Sequence, residues 1–255
     1  MPEIAWFLLA GLVAGSALGF VGAGGPMIGL PILLVGTGLA EHTALGTNAV
    51  AIAVLAALFA VLSVYRGQSH WREALAFSIP GVLGAYFGIR LGLAVSGRQL
   101  IFILGLVVFI AAAWMFWLSR RREPLFDGPP AAGAAAFRRR ALVLIPAGLL
   151  AGWVSGFFAV GGGFMIVIAL MLGGKLPVRL ASQTALVPIA LFTALEGGVY
   201  AAAGHVDLAG SGLMLLAGLV TGAVGVRLAD KAPRRLLQAV LGGLFVLIGI
   251  YFLLR

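Results

Sequence analysis

GLVAGSALGFVGAGGPMIGLP, residues 11–31, and GLLAGWVSGFFAVGGGFMIVI, residues 148–168, are the two stretches from which this chain is read. Each begins as an apolar helix with glycine at every fourth position: Gly11, Gly15 and Gly19 in one, Gly148, Gly152 and Gly156 in the other. Residues four apart share a helix face, so the glycines form a smooth stripe that a neighbouring backbone can approach closely. Each stretch then meets a cluster that a helix resists: Gly22, Gly24, Gly25 and Pro26, and later Gly161, Gly162 and Gly163. Glycine costs about 1 kcal/mol in a helix interior and proline about 3. Two such clusters inside apolar segments mark deliberate breaks.

Composition sets the solvent. Of 255 residues 62% are hydrophobic and only 10% charged, against about 25% charged in soluble domains. Apolar runs at 49–64, 141–172 and 236–254 approach or exceed the roughly 20 residues that cross a bilayer. The chain reads as an all-α polytopic membrane protein. The opening MPEIAWFLLAG lacks a basic region ahead of its apolar run, so no cleavable signal peptide is expected. With no cysteine there is no disulfide framework and no thiolate metal site. The net charge of +9 sits in loops beside the spans, where topology and anionic headgroups account for it without a nucleic-acid partner.

The expected segments are 4–39 (broken at its glycines), 44–65, 74–95 and 99–118, then 141–173 (broken), 181–203, 208–229 and 236–254. Residues 1–119 form a first repeat, 120–140 a basic linker (RRREPLFDGPPAAGAAAFRRR), and 141–255 a second repeat. The linker is expected to be irregular, with its arginines in water. The halves align without a gap when 137 is added to each number, giving 27 identities in 108 pairs. Shared apolar composition alone would give about half as many. Among the shared positions are Phe20/Phe157, Gly24/Gly161, Thr47/Thr184, Gly67/Gly204, Gly88/Gly225, Arg90/Arg227 and Arg98/Arg235. An internal repeat of this kind is a common signature of a transporter.

Basic residues argue the orientation. If each broken segment crossed once, Lys and Arg would split 9 against 8 across the membrane. If each broken segment is instead a hairpin, re-entrant or two short spans, the second copy is inverted and the split becomes 14 against 3. Positive residues favour the cytoplasmic side. The expected fold is therefore two inverted repeats, each a glycine-broken helical hairpin followed by three transmembrane helices. The linker is cytoplasmic and both termini are outside.

Irregular backbone at membrane depth persists only where protein buries it or where it lines a watery cavity. Two inverted breaks would meet at one axis, with freed amides pointing at the centre, and helix N-termini attract anions. Just after each break comes a polar knot, Thr47 with Asn48 in ALGTNAV and Gln183 with Thr184 in ASQTALV. These side chains could cap their own helices or help to hold an anion.

The glycine-broken first segment, the A-x-G/Q-T motif that follows it, the basic central linker and the two-copy layout resemble the sulfite exporter TauE/SafE family, over about residues 5–254. The resemblance implies a bacterial inner-membrane permease for small sulfur-containing anions such as sulfite, sulfonates or thiosulfate, driven by the proton gradient. It carries no cofactor. The residues expected nearest the substrate are Gly24, Gly25, Thr47, Asn48, Gly161, Gly162, Gly163, Gln183 and Thr184. The copies differ where Pro26 stands opposite Gly163 and Gly46 opposite Gln183, so the site is asymmetric.

Glu196 is the one acidic residue deep inside an apolar segment, opposite Phe59 in the first copy. A carboxyl group there is costly to hold charged, which suits proton coupling; a structural hydrogen bond is the alternative. Arg90 and Arg227 read as helix-end anchors. His42, His70 and His205 read as separated surface residues in loops, and the tryptophans as an interfacial belt. No Ser/His/Asp set, HExxH or Walker loop appears, and no strand surrounds the GAGG run, so an enzyme is not expected. An anion channel, a membrane-embedded enzyme and a non-transporting partner subunit are the competing classes.

Overall fold

The structure, a computed structural model, describes residues 2–22, 25–119, 133–229 and 243. They form helices: α1 (Pro2–Val21), α2 (Gly25–Gly36), α3 (Glu41–Tyr65), α4 (Trp71–Ala94), α5 (Gly97–Ser119), α6 (Ala134–Phe158), α7 (Gly163–Leu172), α8 (Val178–Ala202) and α9 (Leu208–Ala229). Six of these, α1, α3, α4, α6, α8 and α9, are long and apolar enough to cross a membrane. The expected segment 236–254 apart from Gly243, together with Gly24, most of the linker, and Lys231, Arg234, Arg235 and Arg255, lies outside the described residues.

Both broken segments are helical hairpins. Gly25 sits against Ala14 and Leu18, Gly29 against Ala14, and Gly36 against the Trp6 indole, so α2 runs back along α1. The arms are unequal. The 20 residues of α1 extend about 30 Å and the 12 of α2 about 18 Å, a full crossing joined to a short return. Likewise α6 has 25 residues and α7 has 10.

The glycine stripes do what their spacing predicts, but each faces a helix of the other half. A Cβ on Gly11, Gly15 or Gly19 would strike the backbone of Met214, Gly218 or Gly222 in α9. A Cβ on Gly148, Gly152 or Gly156 would strike that of Phe77, Gly81 or Ala85 in α4. Adding 137 turns each residue of one set into its counterpart, and the contacts rise together in number, so α1 runs parallel to α9 and α4 to α6. Shared positions away from the stripes extend the same seams: Gly225 meets Ser16 and Phe20, and Gly88 meets Trp153 and Phe157. Gly46 lies against Tyr200 and His205, and Gly197 against Val50, so α3 and α8 are antiparallel. Gly67 and Gly204 are turn glycines with φ of +66° and +76°, the left-handed region that glycine enters freely.

The expectation of an irregular linker is corrected at its end. Residues from Ala134 onward are already in α6, whose alanine-rich start favours helix. Arg140 is drawn out of water to Glu73 Oε1, 2.8 Å away. Trp6 likewise serves the α1–α2 hairpin as a packing surface rather than only as an interfacial anchor.

Candidate functional site

The second break is described throughout. Helix α6 ends at Phe158, Ala159 takes a left-handed conformation (φ +50°), and Gly161 and Gly162 follow at +64° and +57° before α7 starts. Successive left-handed residues turn the chain back tightly, and only glycine enters that region without steric cost. In the first break Gly22 holds the position equivalent to Ala159, with φ +72°. The two breaks approach one another: a Cβ on Gly161 would lie 3.2 Å from the Pro26 ring, beside Thr193.

Glu196 closes the second break. Fully buried in α8, it accepts a hydrogen bond from Ser155 Oγ on α6 at 2.8 Å and one from the Gly161 N–H at 3.1 Å. A side chain from a third helix thus binds both sides of the break. The sequence pointed to Glu196 but gave no sign of Ser155, which sits in a glycine-spaced helix and is 1% exposed. The first break is held differently. Asn48 Nδ2 donates to the Pro26 carbonyl at 2.8 Å, while Asn48 Oδ1 is buried without a hydrogen-bond partner among the described residues. Leu18 and Phe59 stand where the second half has Ser155 and Glu196.

Thr47 and Thr184 are fully buried, and they do not cap their own helices. Thr47 Oγ1 accepts the backbone N–H of Asp207, just ahead of α9, at 2.9 Å. Thr184 Oγ1 accepts that of His70, just ahead of α4, at 3.1 Å. These are equivalent staples, each tying one half to the start of a helix in the other. They lie toward opposite ends of the α3–α8 pair and are not brought together. Ser211 Oγ adds a bond to the Thr47 carbonyl at 3.0 Å.

Gln183 lines a pocket between the ends of α1 and α3 and the start of α8, together with Ser63, Arg66, Gln68 and the apolar Leu18 and Phe59. Ser63 is 2% exposed and its Oγ has no partner among the described residues. The equivalent positions at the other end of the bundle are Gly46, Tyr200, Ala203, His205, Ser155 and Glu196. There Tyr200 is fully buried and a Cβ on Gly46 would strike the His205 carbonyl, whereas Ala203, the counterpart of Arg66, is exposed.

The reading of the histidines as separated surface groups is corrected. His42 belongs to α3, its ring centroid is 5.7 Å from that of His205 and 6.0 Å from that of Tyr200, and its Nδ1 is buried. His70 lies 3.6 Å from Glu73. A cluster of three side chains able to hold a metal is absent among the described residues. Arg90 bonds the Tyr86 hydroxyl at 3.0 Å from an exposed helix end.

Apolar spans around two broken hairpins, with a carboxyl group buried at one break, make a polytopic membrane transporter. The chain belongs to the sulfite exporter TauE/SafE family, whose sequence profile matches residues 7–252. It is 30% identical over 249 residues to a "Probable membrane transporter protein" of Xylella fastidiosa strain 9a5c, covering 96% of this chain and 93% of that one. It is 27% identical over 238 residues to "Probable membrane transporter protein YdhB" of Bacillus subtilis strain 168, covering 91% and 93%. No solved structure matches it.

Proposed function

We propose that this transporter moves small sulfur-containing anions of the sulfite, sulfonate or thiosulfate class across a bacterial inner membrane by alternating access coupled to the proton gradient. The observation that carries the reading is the bond between Glu196 and the Gly161 N–H. A buried carboxyl group holds a backbone donor at the point where the helix breaks. Protonation of Glu196 weakens its claim on that donor, because a neutral acid accepts less strongly than a carboxylate. The freed N–H, with the amides that begin α7, then turns to an anion. Proton and anion then arrive together, which is the logic of symport.

The donors offered to the anion in this reading are those of Gly25, with the Asn48 amide, on the first break, and of Gly161, Gly162 and Gly163 on the second. Gln183 with Thr184 at one end and Thr47 at the other are its polar contacts on the way in and out. Inversion of the halves is supported by helix direction. Leu55 and Phe59 of α3 meet Gly218 and Gly222 of α9 in rising order, so α1, α3 and α9 point one way. The turn at 66–70 sends α4 back, and α6 follows α4. The two ends carry different linings, with Arg66, Gln68 and Gln183 at one and Ala203, His205 and Gly46 at the other, and alternating access works on an inverted pair by rocking one half against the other. In this reading the linker faces the cytoplasm and both termini the outside.

Flux through proteoliposomes of purified protein tests the proposal, using sulfite, thiosulfate, a sulfonate, sulfate and chloride with and without a pH gradient. Saturable, gradient-dependent movement of a sulfur anion is expected. Unsaturable passage of many anions, or movement indifferent to the gradient, refutes proton-coupled carriage.

A further inference from the structure

We infer that the pocket formed by Ser63, Arg66, Gln68 and Gln183 is an oxyanion-binding vestibule, the place where the transported ion is first held on the linker side of the bundle; this rests on the transporter reading above. Its polar side chains can all donate to an anion. Arg66 supplies the positive charge, and among the described residues no carboxylate forms an ion pair with it. Two carboxamides, Gln68 and Gln183, offer N–H groups beside it. Ser63 Oγ is buried at the wall of the pocket with no hydrogen-bond partner among the described residues, a cost that a bound acceptor removes. No acidic residue lines the pocket.

The equivalent end of the molecule shows that this chemistry is not a by-product of duplication. Under the 137 shift Arg66 becomes Ala203, Ser63 becomes Tyr200, Gln68 becomes His205 and Gln183 becomes Gly46. The guanidinium and both carboxamides are lost together. Anion-attracting groups are concentrated at one end.

Phosphate in a lipid headgroup shares this chemistry with a soluble sulfonate or sulfite, so the test separates the two. The chain has no cysteine, and Gln183→Cys therefore carries a single reporter, with Gln68→Cys as the second variant should the first fail to fold. In vesicles of phosphatidylcholine, its rate of reaction with an anionic sulfonatoethyl methanethiosulfonate is compared with that of the cationic trimethylammonium analogue. Each rate is divided by the rate with mercaptoethanol. The normalised ratio is expected to favour the anionic reagent roughly tenfold, to fall to about one in the Arg66→Gln background, and to drop when ethanesulfonate competes. Absence of labelling in folded protein overturns the vestibule, as does a ratio unchanged by Arg66→Gln. Protection by added phosphatidylglycerol without protection by ethanesulfonate assigns the pocket to lipid and overturns it too. Labelling needs no transport, so failure of flux and failure of the vestibule are read separately.

Discussion

Glu196 on α8 accepts the Gly161 N–H at 3.1 Å across the break between α6 and α7, and Ser155 holds its other oxygen at 2.8 Å. The carboxyl group is therefore a structural clasp and a titratable group in one. A clasp needs only acceptor geometry; a proton carrier needs an ionisable oxygen. Glu196→Gln separates them, because the glutamine oxygen can still accept from Gly161 while its amide donates to Ser155. We expect Glu196→Gln to keep its thermal midpoint in detergent and to lose at least tenfold of its pH-gradient-driven flux, about 1.4 kcal/mol or more in the coupled step. Unchanged coupling in the folded variant would reduce Glu196 to the clasp alone.

The helix seams give a prediction with its own internal control. Gly15 faces the Gly218 backbone and Gly152 faces the Gly81 backbone, whereas Gly198 and Gly212 have nothing within 4 Å of an added Cβ. Overfilling a packed contact costs about 1–3 kcal/mol, and here backbone, which cannot swing aside, must move. Gly15→Val and Gly152→Val should each lower folded yield and thermal midpoint to a similar degree, being equivalent positions. Gly198→Ala and Gly212→Ala, in helix interiors with open space beside them, should not destabilise and should gain up to about 1 kcal/mol. Unfolding in a mild detergent measures all four.

These seams mark how much of the fold the sequence revealed. Glycine at every fourth residue, the duplication and the breaks were all legible, because backbone approach and helix interruption each demand a residue type that nothing else demands. Partner choice was not legible. A stripe does not say what lies against it, and the contact of α1 with α9 and of α4 with α6 crosses between the halves. The same limit applies at the site. Glu196 stood out because a carboxyl group is rare among apolar neighbours, whereas Ser155 did not, since a serine in a small-residue helix has many uses. Thr47 and Thr184 were singled out as equivalents, but sequence could not show that each accepts an N–H from the opposite half, because a hydroxyl has no fixed direction until the helices meet.

That acceptor role predicts the effect of removing the two hydroxyls. Thr184→Val keeps the shape of the side chain and leaves the His70 N–H without its acceptor; Thr47→Val does the same to Asp207. An unsatisfied group of this kind costs about 1–3 kcal/mol. Both valine variants should lose stability by similar amounts, and serine at either position should restore most of it. If Thr184 also contacts the anion, Thr184→Val raises the half-saturating anion concentration of the protein that remains folded, while Thr184→Ser does not. Denaturation and concentration-dependent flux on the same preparation distinguish the two contributions. Full stability of both valine variants would show that the staples contribute nothing.

The contact between the start of α4 and the start of α6 is electrostatic, and it ties the residues after the linker to the first half. Arg140 Nη2 lies 2.8 Å from Glu73 Oε1, with side chains 11% and 4% exposed, and His70 Nδ1 lies 3.6 Å from the other carboxylate oxygen. Removing one member of so enclosed a pair leaves a charge with little water, whereas neutralising both removes the difficulty together with the attraction. Arg140→Gln and Glu73→Gln should therefore each destabilise the protein by more than about 1 kcal/mol, and the double variant should be more stable than the sum of the singles predicts. A coupling of about 0.5–3 kcal/mol is the range for residues in direct contact. Because His70 also supplies its N–H to Thr184, Glu73→Gln should weaken that staple as well. The penalty of Thr184→Val should then be smaller in the Glu73→Gln background than in the parent. Strict additivity between positions 73 and 184 would show that the ion pair and the staple act independently, and that the start of α4 is held at two separate points.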